Sequence, residues 1–334
     1  MMNNKEFDFA FFYKSKYNTA DDLKQSKKYD LFLSAYNDSE RVKTVFTEID
    51  SILKHWIVFP QYLYEPSELP TIVDSGEALF TFDPALNEGQ IIRDYLKQSS
   101  IDFTNIKNIC IDITGFIRPH LIFLIRYFSV IDVKSIDFIY TDPVKYIKKE
   151  QTDFSSEYTD VRQIDGCQGI HNPDTNNDYL IIGAGYDNLR ITDVSKSKAN
   201  SKKVQLFGFP SLQPDMYQEN ILKAYISEEA TSNGRESFID PDSTIFAPAN
   251  DPFVTANIIK QFVTKENKRK AMTNLYFCPL STKAQTLGMA LYFVTNCLEE
   301  NVSIIFPICK QYSRETTEGI AKIWKYTVDF SQLK

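Results

Sequence analysis

The chain has 334 residues, of which 43% are apolar, and its formal net charge at pH 7 is −7. A chain of this length favours two domains of roughly 100–200 residues each, with cores large enough to need no disulfide or metal crosslink. The negative charge argues against broad binding to duplex nucleic acid, because such binding depends on Lys and Arg neutralising phosphates. A local basic groove remains compatible with it.

The sequence also indicates the compartment. It contains no apolar run of about 18 residues, so we expect no membrane span. The first eight residues carry three charged side chains and do not resemble a signal peptide. The five cysteines form no CxxC pair, which indicates free thiols in a reducing environment. We therefore expect a cytoplasmic protein.

Short apolar runs alternate along the chain with segments of helical character. Runs that are apolar at nearly every position are typical of parallel strands covered on both faces. The predicted strands are 29–35, 56–59, 109–113, 136–140, 179–183, 204–207, 275–278 and 302–306. Helices are predicted over 39–53 and 282–298, and edge strands over 7–13 and 324–330. This alternation predicts an α/β protein with mostly parallel sheets.

Four pairs of segments recur in the same order in the two halves of the chain. Residues 31–41 resemble 180–190, 56–60 resemble 206–210, 82–92 resemble 246–259, and 108–118 resemble 274–283. Four pairs in order favour an internal duplication over two unrelated α/β lobes or one large sheet. We predict two Rossmann-like halves, residues 1–150 and 178–334, joined by a polar linker loop over 151–177.

Ligands of open α/β sheets bind beyond the carboxyl ends of the strands, against helix N-termini. At one such junction Asp112, Thr114 and Gly115 are followed by Arg118, so that a hydroxyl, backbone N–H groups and a cation can hold an anion. The alternative is a capping Thr, a turn Gly and a surface Arg.

The corresponding junction in the second half carries Ser281, Thr282 and Lys283. It again combines hydroxyls and a cation at a helix start. It is not a Walker A loop, because the glycines that precede the lysine in that motif are absent. The alternative is an N-cap followed by an exposed lysine.

Two further turns pair an aspartate with an arginine three residues later. These are Asp38 with Arg41 and Asp187 with Arg190. Asp caps helices well and can pair with Arg across one helical turn, which is the structural interpretation. In the functional interpretation Arg41 and Arg190 face a phosphate.

The D-I-T-G run at 112–115 and the S-T-K run at 281–283 resemble the strand-end motif of CARF-type Rossmann sensors. In that family Thr, Gly and Lys at a strand–helix junction contact oligonucleotide second messengers. SAVED modules are similar to two CARF units fused in one chain. Arg118 stands in place of the motif's Lys, and the second copy lacks the Asp and the glycines. The resemblance implies a nucleotide-sensing pocket between the halves and a role in bacterial antiviral defence.

Other motifs are few. Residues 29–34 with Asp38 are similar to the opening strand of TIR domains, but no glutamate has the context of their catalytic residue. The sequence contains no His/Cys/Asp/Glu motif with metal-ligand spacing and no GxSxG motif. Its nearest approach to GxGxxG begins at Gly183 and has Asn188 in place of the third glycine. No metal and no particular cofactor is predicted. The Pro-rich aromatic segment 60–70 is either a lid or docking loop or a segment packed on the body.

The residues lead to one prediction and two alternatives. The prediction is a ligand-binding protein for a nucleotide-like small molecule, held by Thr114, Arg118, Ser281, Thr282 and Lys283 with help from Arg41 and Arg190. The first alternative is an enzyme acting on a nucleotide or nucleic acid, with Asp112 or Asp142 as base or metal ligand. The second is a non-catalytic scaffold subunit that binds a protein partner in a larger complex.

Overall fold

The computed structural model describes residues 7–146, 155–185, 188–213, 216–226, 243–298, 300–314 and 317–333. In these ranges the backbone forms seven α-helices, two large sheets of mostly parallel strands and a two-stranded ribbon. The protein is therefore an α/β protein, as predicted. None of the helices in these ranges is both long and apolar enough to cross a bilayer.

The strands are β1 (Tyr13–Tyr17), β2 (Tyr29–Ala35), β3 (Ser51–Val58), β4 (Glu77–Thr81), β5 (Ile109–Asp112), β6 (Ser135–Asp142), β7 (Lys145–Tyr146), β8 (Ser155–Gln163), β9 (Tyr179–Gly183), β10 (Lys202–Gly208), β11 (Thr244–Ala247), β12 (Leu275–Pro279), β13 (Val302–Tyr312), β14 (Thr317–Glu318) and β15 (Lys322–Asp329). The helices are α1 (Glu40–Glu48), α2 (Glu88–Ser99), α3 (Arg118–Phe128), α4 (Asn188–Ser197), α5 (Met216–Ile226), α6 (Pro252–Arg269) and α7 (Lys283–Asn296).

The chain forms two compact units that exchange their terminal segments. Unit I comprises Phe12–Glu157 and Cys309–Lys334, and unit II comprises Met1–Phe11 and Tyr158–Ile308. The ranges expected from the sequence, 1–150, 151–177 and 178–334, therefore differ from the observed units at both ends. The reason is long-range pairing, because β15 pairs antiparallel with β6 over eight residues of each strand.

Both large sheets contain the same arrangement of five parallel strands. The sheet of unit I has the order β1-β15-β6-β5-β2-β3-β4, and that of unit II has the order β11-β10-β9-β12-β13-β8. Within the set β2 to β6, and within the set β9 to β13, neighbouring strands are parallel. Numbered along the chain, each set has the order 3-2-1-4-5, as in doubly wound sheets. The strand order reverses between β2 and β5 and between β9 and β12, where such sheets bind ligands.

Three segments differ from the sequence-based expectation. Residues 324–330 lie mostly within β15, which is not an edge strand, because β1 covers its outer side. Residues 9–11 form a 3₁₀ turn. Helix α1 ends at Glu48, because the β-branched and aromatic residues that follow extend β3 backwards to Ser51.

Each unit buries its own core. In unit I the ring of Phe46 stacks on Trp56, with centroids 3.7 Å apart, between α1 and the sheet. In unit II α6 packs so closely on α7 that a Cβ on Gly288 would lie 2.4 Å from the carbonyl oxygen of Pro252. The absence of a side chain at Gly288 therefore permits this packing. The five cysteines are free and buried, as expected.

Candidate ligand site at the carboxyl ends of the strands

A buried carboxyl group, that of Asp112, lies where the strand order of unit I reverses between β2 and β5. Asp112 ends β5, and its Oδ2 accepts a hydrogen bond from Ser34 Oγ at 3.3 Å. Its Oδ1 accepts from the backbone N–H of Thr114 at 2.9 Å. Burial raises the pKa of Asp112 to about 6, while the bonds from Thr114 and Ser34 and the charge of Arg41 oppose that rise. The group is therefore fixed in place and titrates near neutral pH.

The turn after β5 crosses directly over the end of β2. A Cβ on Gly115 would lie 2.2 Å from the carbonyl oxygen of Ala35, so only glycine fits there. The hydroxyl of Thr114 accepts a hydrogen bond from the backbone N–H of Thr141 at 3.0 Å. Thr114 thus joins this turn to the end of β6, which accounts for its buried position.

Arg41 reaches from the first turn of α1 to the end of β6. Its Nη1 donates to the carbonyl oxygen of Thr141 at 2.6 Å. Asp38 accepts from the Lys43 ammonium at 2.6 Å, and the N-cap residue of α1 is Ser39. The predicted Asp38–Arg41 pair with a capping Asp38 is therefore replaced by a different set of contacts, which directs Arg41 toward the sheet.

The residue after Thr141 is a second buried acid. Asp142 accepts a hydrogen bond at Oδ2 from the indole N–H of Trp324, at 2.6 Å. Burial raises the pKa of Asp142 to about 6, against the bond from Trp324 and the charges of Arg41 and Lys322. Arg41 therefore acts electrostatically on both Asp112 and Asp142.

We call Ser39, Arg41, Thr141 and Asp142 the β6 corner. In the described part of the chain each of these residues has a buried atom without a hydrogen-bond partner: Ser39 Oγ, Arg41 Nε, Thr141 Oγ1 and Asp142 Oδ1. A buried polar group left unsatisfied costs about 1–3 kcal/mol, so such atoms are rare and call for an explanation. The atoms on Arg41 and Asp142, two residues close enough to interact electrostatically, offer hydrogen bonds that water or a ligand can complete.

The segment 60–70 covers this end of the sheet. The hydroxyl of Tyr62 donates to the carbonyl oxygen of Gly115 at 3.0 Å, and the hydroxyl of Tyr36 donates to that of Glu68 at 2.8 Å. Arg314 lies 4.2 Å from the ring centroid of Tyr64 and pairs with Glu68 at 2.8 Å. Of the two predicted alternatives, the segment therefore takes the packed form. We call Tyr62, Tyr64 and Glu68 the tyrosine cover.

Arg118 lies close to the tyrosine cover. It is the first residue of α3 and is half-buried. Burial raises the pKa of Tyr62, and the positive charges of Arg118 and Arg41 oppose that rise. Both arginines therefore lie close enough to Tyr62 to act on it, and they give the covered region a positive field.

The matching junction of unit II has a different chemistry. The hydroxyl of Thr282 caps α7 by accepting from the backbone N–H of Gln285 at 3.2 Å, and it donates to the carbonyl oxygen of Ala249. Ser281 is buried against the end of β9, where a Cβ on Gly183 would lie 2.6 Å from its Oγ. Lys283 begins α7 and is half-buried. The structural alternative accounts for the Thr282 hydroxyl.

Arg190 is held by an acid on its own helix. Its Nη1 lies 3.2 Å from Asp193 Oδ2, one turn further along α4. Asp187, the partner predicted from the sequence, lies outside the described residues. An ion pair within α4 therefore occupies Arg190, whereas Arg41 of unit I crosses to the sheet.

The predicted site residues fall into two groups. Unit I brings Arg41, Thr114 and Arg118 to the ends of β5 and β6, and unit II brings Ser281, Thr282 and Lys283 to the end of β12. The sequence analysis singled out segment 60–70 but missed Ser39, Thr141 and the contact of Trp324 with Asp142. Trp324 is 182 residues from its partner Asp142, so no local pattern signals that contact.

Among the described residues, no group of three or more His, Cys, Asp or Glu side chains is arranged to hold a metal ion. Comparison with protein-family models, with curated proteins and with solved structures finds no match to this chain.

Proposed function

We propose that this protein binds a nucleotide-type ligand at the β6 corner of unit I. One observation carries the proposal: Arg41 bonds to the backbone at the end of β6 and lies close enough to Asp142 to act on its charge, while both side chains keep a buried polar atom without a partner among the described residues. The corner borders the strand reversal, where doubly wound sheets bind ligands. Perturbed carboxyls at such a position are a common mark of a functional site.

The chemistry of the corner fits a phosphate ester that carries hydroxyl groups. The Nε–H of Arg41 is available to a phosphate oxygen, and Arg118 adds positive charge nearby. Asp142 Oδ1 accepts from a sugar hydroxyl or a base N–H. The hydroxyls of Ser39 and Thr141 donate or accept as the ligand requires. Tyr62 and Tyr64 of the cover offer rings against which a base can stack.

Binding and release then require the tyrosine cover to move. The contacts to be broken include the bond from Tyr62 to Gly115, the bond from Tyr36 to Glu68, the pair between Arg314 and Glu68, and the bond from the Asp38 N–H to the Tyr64 hydroxyl. Each hydrogen bond contributes about 0.5–1.5 kcal/mol net, so opening costs several kcal/mol, which the free energy of ligand binding must offset. The cover would exclude water from the bound ligand.

The two units support an origin by internal duplication followed by divergence. Both contain five parallel strands in the order 3-2-1-4-5. Unit I keeps an arginine directed at the sheet, whereas in unit II the Thr282 hydroxyl caps a helix and Arg190 is paired with Asp193. The resemblance of residues 112–115 to CARF-type sensors supports an oligonucleotide second messenger as the ligand, in bacterial antiviral defence.

A specific observation also favours an enzyme. Asp112 and Asp142 both have pKa values raised to about 6, close to the value that suits general acid–base catalysis at neutral pH. In this second candidate, one carboxyl would accept a proton from a nucleotide hydroxyl or water. Turnover lost in Asp142→Asn, with binding retained, would select it.

A thermal-shift screen against mono-, di- and cyclic oligonucleotides, NAD and ATP, with and without Mg²⁺, tests the proposal. A ligand at a hundred times its dissociation constant stabilises the folded state by about 2.7 kcal/mol. We expect Arg41→Lys to abolish the shift, because a lysine has no Nε–H in that position. Arg190→Lys, the same change at the corresponding arginine of unit II, should leave it intact.

Two results would contradict the proposal. Equal loss of the shift in Arg41→Lys and Arg190→Lys would place the ligand elsewhere. The absence of a shift across the panel, together with a stable partner in a pull-down, would favour the scaffold subunit. Mass spectrometry of a mixture that shows a shift separates a sensor from an enzyme, because only an enzyme changes the ligand.

A further inference from the structure

A groove of about 730 Å³ runs along helix α6 of unit II, remote in sequence from the β6 corner. Its lining residues are Asp8, Asn257, Lys260, Gln261, Thr264, Lys265, Lys268 and Arg269. We call this the α6 groove. It contains four basic side chains and one acidic one, in a chain whose formal net charge is −7. A positive patch on an acidic protein is a selective attractor for anions.

The helical repeat explains why these side chains share one face. Positions 257, 260, 261, 264, 265 and 268 recur at intervals of three and four, so they form a single stripe along α6. The opposite face carries Ala256, Ile259 and Val263, which are fully or almost fully buried in the core. Core packing therefore fixes the helix and presents the basic stripe to solvent.

The N-terminal segment forms the other wall of the groove. The Lys260 ammonium donates to the carbonyl oxygen of Phe7 at 2.8 Å. The carboxylate of Asp8 accepts from the backbone N–H of Ala10 at 2.9 Å and from the Asn257 amide at 3.3 Å. These bonds fix the N-terminal segment against α6 and hold the carboxylate of Asp8, the one acidic residue of the lining.

Lys265, Lys268 and Arg269 lie towards the C-terminal end of the groove and are exposed to solvent. Arg269 also lies 3.2 Å from the buried carboxylate of Glu266. Lys265 and Lys268 lie at exposed positions, so an anion can contact them without any change in the core.

We propose that the α6 groove binds the phosphate backbone of single-stranded nucleic acid. Lys, Arg, Thr, Asn and Gln, which make up all of the lining except Asp8, are the residue types that contact phosphates. Three of the four cations are lysines, which bind phosphate as point charges.

The dimensions suit one strand. From Asn257 to Arg269 the helix rises roughly 18 Å at 1.5 Å per residue, which is long enough to contact several consecutive phosphates of one strand. None of the eight lining residues is aromatic, so the bases are not stacked and binding is independent of sequence.

Fluorescence anisotropy with a labelled oligothymidylate about ten nucleotides long tests the proposal on the full-length protein. The probe variant is Lys265→Gln with Lys268→Gln. Removing two phosphate contacts should reduce the slope of log K against log salt by about 1.4 and weaken binding about 25-fold at 0.1 M salt. Both lysines are exposed, so the melting temperature should stay unchanged.

The matched control is Lys97→Gln with Lys196→Gln, which removes the same charge from exposed positions on α2 and α4. It should bind as the wild type does. If both double variants bind the oligonucleotide equally weakly, the loss of affinity comes from the change in net charge alone, and the proposal is overturned. An oligoglutamate of similar length that competes as well as the oligonucleotide would also overturn it. Arg41→Lys should leave this binding intact, which separates the α6 groove from the proposed ligand site of unit I.

Discussion

Replacing Asp142 by asparagine should make the stability of unit I less dependent on pH between about pH 5 and pH 7. The change preserves shape, and the asparagine side-chain oxygen can still accept the hydrogen bond from Trp324. It removes the ionisation of a buried carboxyl group that has one oxygen without a hydrogen-bond partner in the described part of the chain. The comparison of wild type and variant therefore isolates the titration of one group.

The magnitude follows from the pKa values. Burial raises the pKa of Asp142 from 3.8 to about 6, so the folded protein binds this proton more tightly than the unfolded chain does. Its ionisation therefore destabilises the fold, fully above the folded pKa and progressively less as the pH falls toward the unfolded value. The cost is about 3 kcal/mol at pH 7 and about 1.6 kcal/mol at pH 5. Acidification over this range should stabilise the wild type by about 1.3 kcal/mol more than the variant.

Urea unfolding at both pH values measures this difference. Both tryptophans of the chain, Trp56 and Trp324, belong to unit I, so their fluorescence reports the unfolding of that unit. The other titrating groups are common to both proteins and cancel in the comparison. If the variant and the wild type gain equal stability on acidification, Asp142 does not titrate in this range. The acid–base candidate for the β6 corner then loses one of its two carboxyls.

Three further predictions concern packing. Gly115→Ala should lower the free energy of unfolding by about 1–3 kcal/mol, because the new Cβ meets the carbonyl oxygen of Ala35. An unchanged urea midpoint would show that the turn relaxes freely. Gly288→Ala should cost a similar 1–3 kcal/mol by separating α6 from α7 at Pro252, as measured by calorimetry. A neutral result there would mean that the two helices can shift apart. Tyr62→Phe leaves the Gly115 carbonyl without its donor and should cost about 1–3 kcal/mol while it speeds proteolysis within the tyrosine cover. Digestion as slow as that of the wild type would show that this bond does not hold the cover closed.

The strands could be predicted from the sequence because they are buried on both faces. Residues 179–183 were predicted as a strand and form β9, and all five are buried. The run 29–35 likewise forms β2. Continuous apolar runs of this length have few alternatives in a chain that alternates strands with helices. Element type therefore followed from local composition.

The terminal exchange could not be predicted in the same way. The sequence predicts a strand in the segment that forms β15. Its partner β6, however, lies nearly two hundred residues earlier in the chain. Apolar periodicity shows which face of a strand is buried and does not show which edge receives a partner. The shortened α1 has a related cause, since pairing with β2 favours the extended form of residues 51–58.

The residues of the candidate site could be predicted only in part. Polar residues that follow an apolar run in the sequence indicated Asp112, Thr114 and Arg118. The structure places them at or beside the point where the strand order reverses. The partners of Arg41 and Asp142 depend on tertiary contacts with Thr141 and Trp324. Such contacts leave no periodic signal, so the β6 corner emerges only when α1, β6 and β15 are brought together.

The position of β15 has a consequence for how the protein is made. A ribosome releases the strands β1 to β6 long before residues 322–329 emerge, so β6 waits with an open hydrogen-bonding edge through the synthesis of unit II. Unpaired strand edges invite association with other chains. Unit I therefore completes its sheet only after β15 has emerged, and a nascent chain arrested before β15 would expose the edge of β6 to other chains.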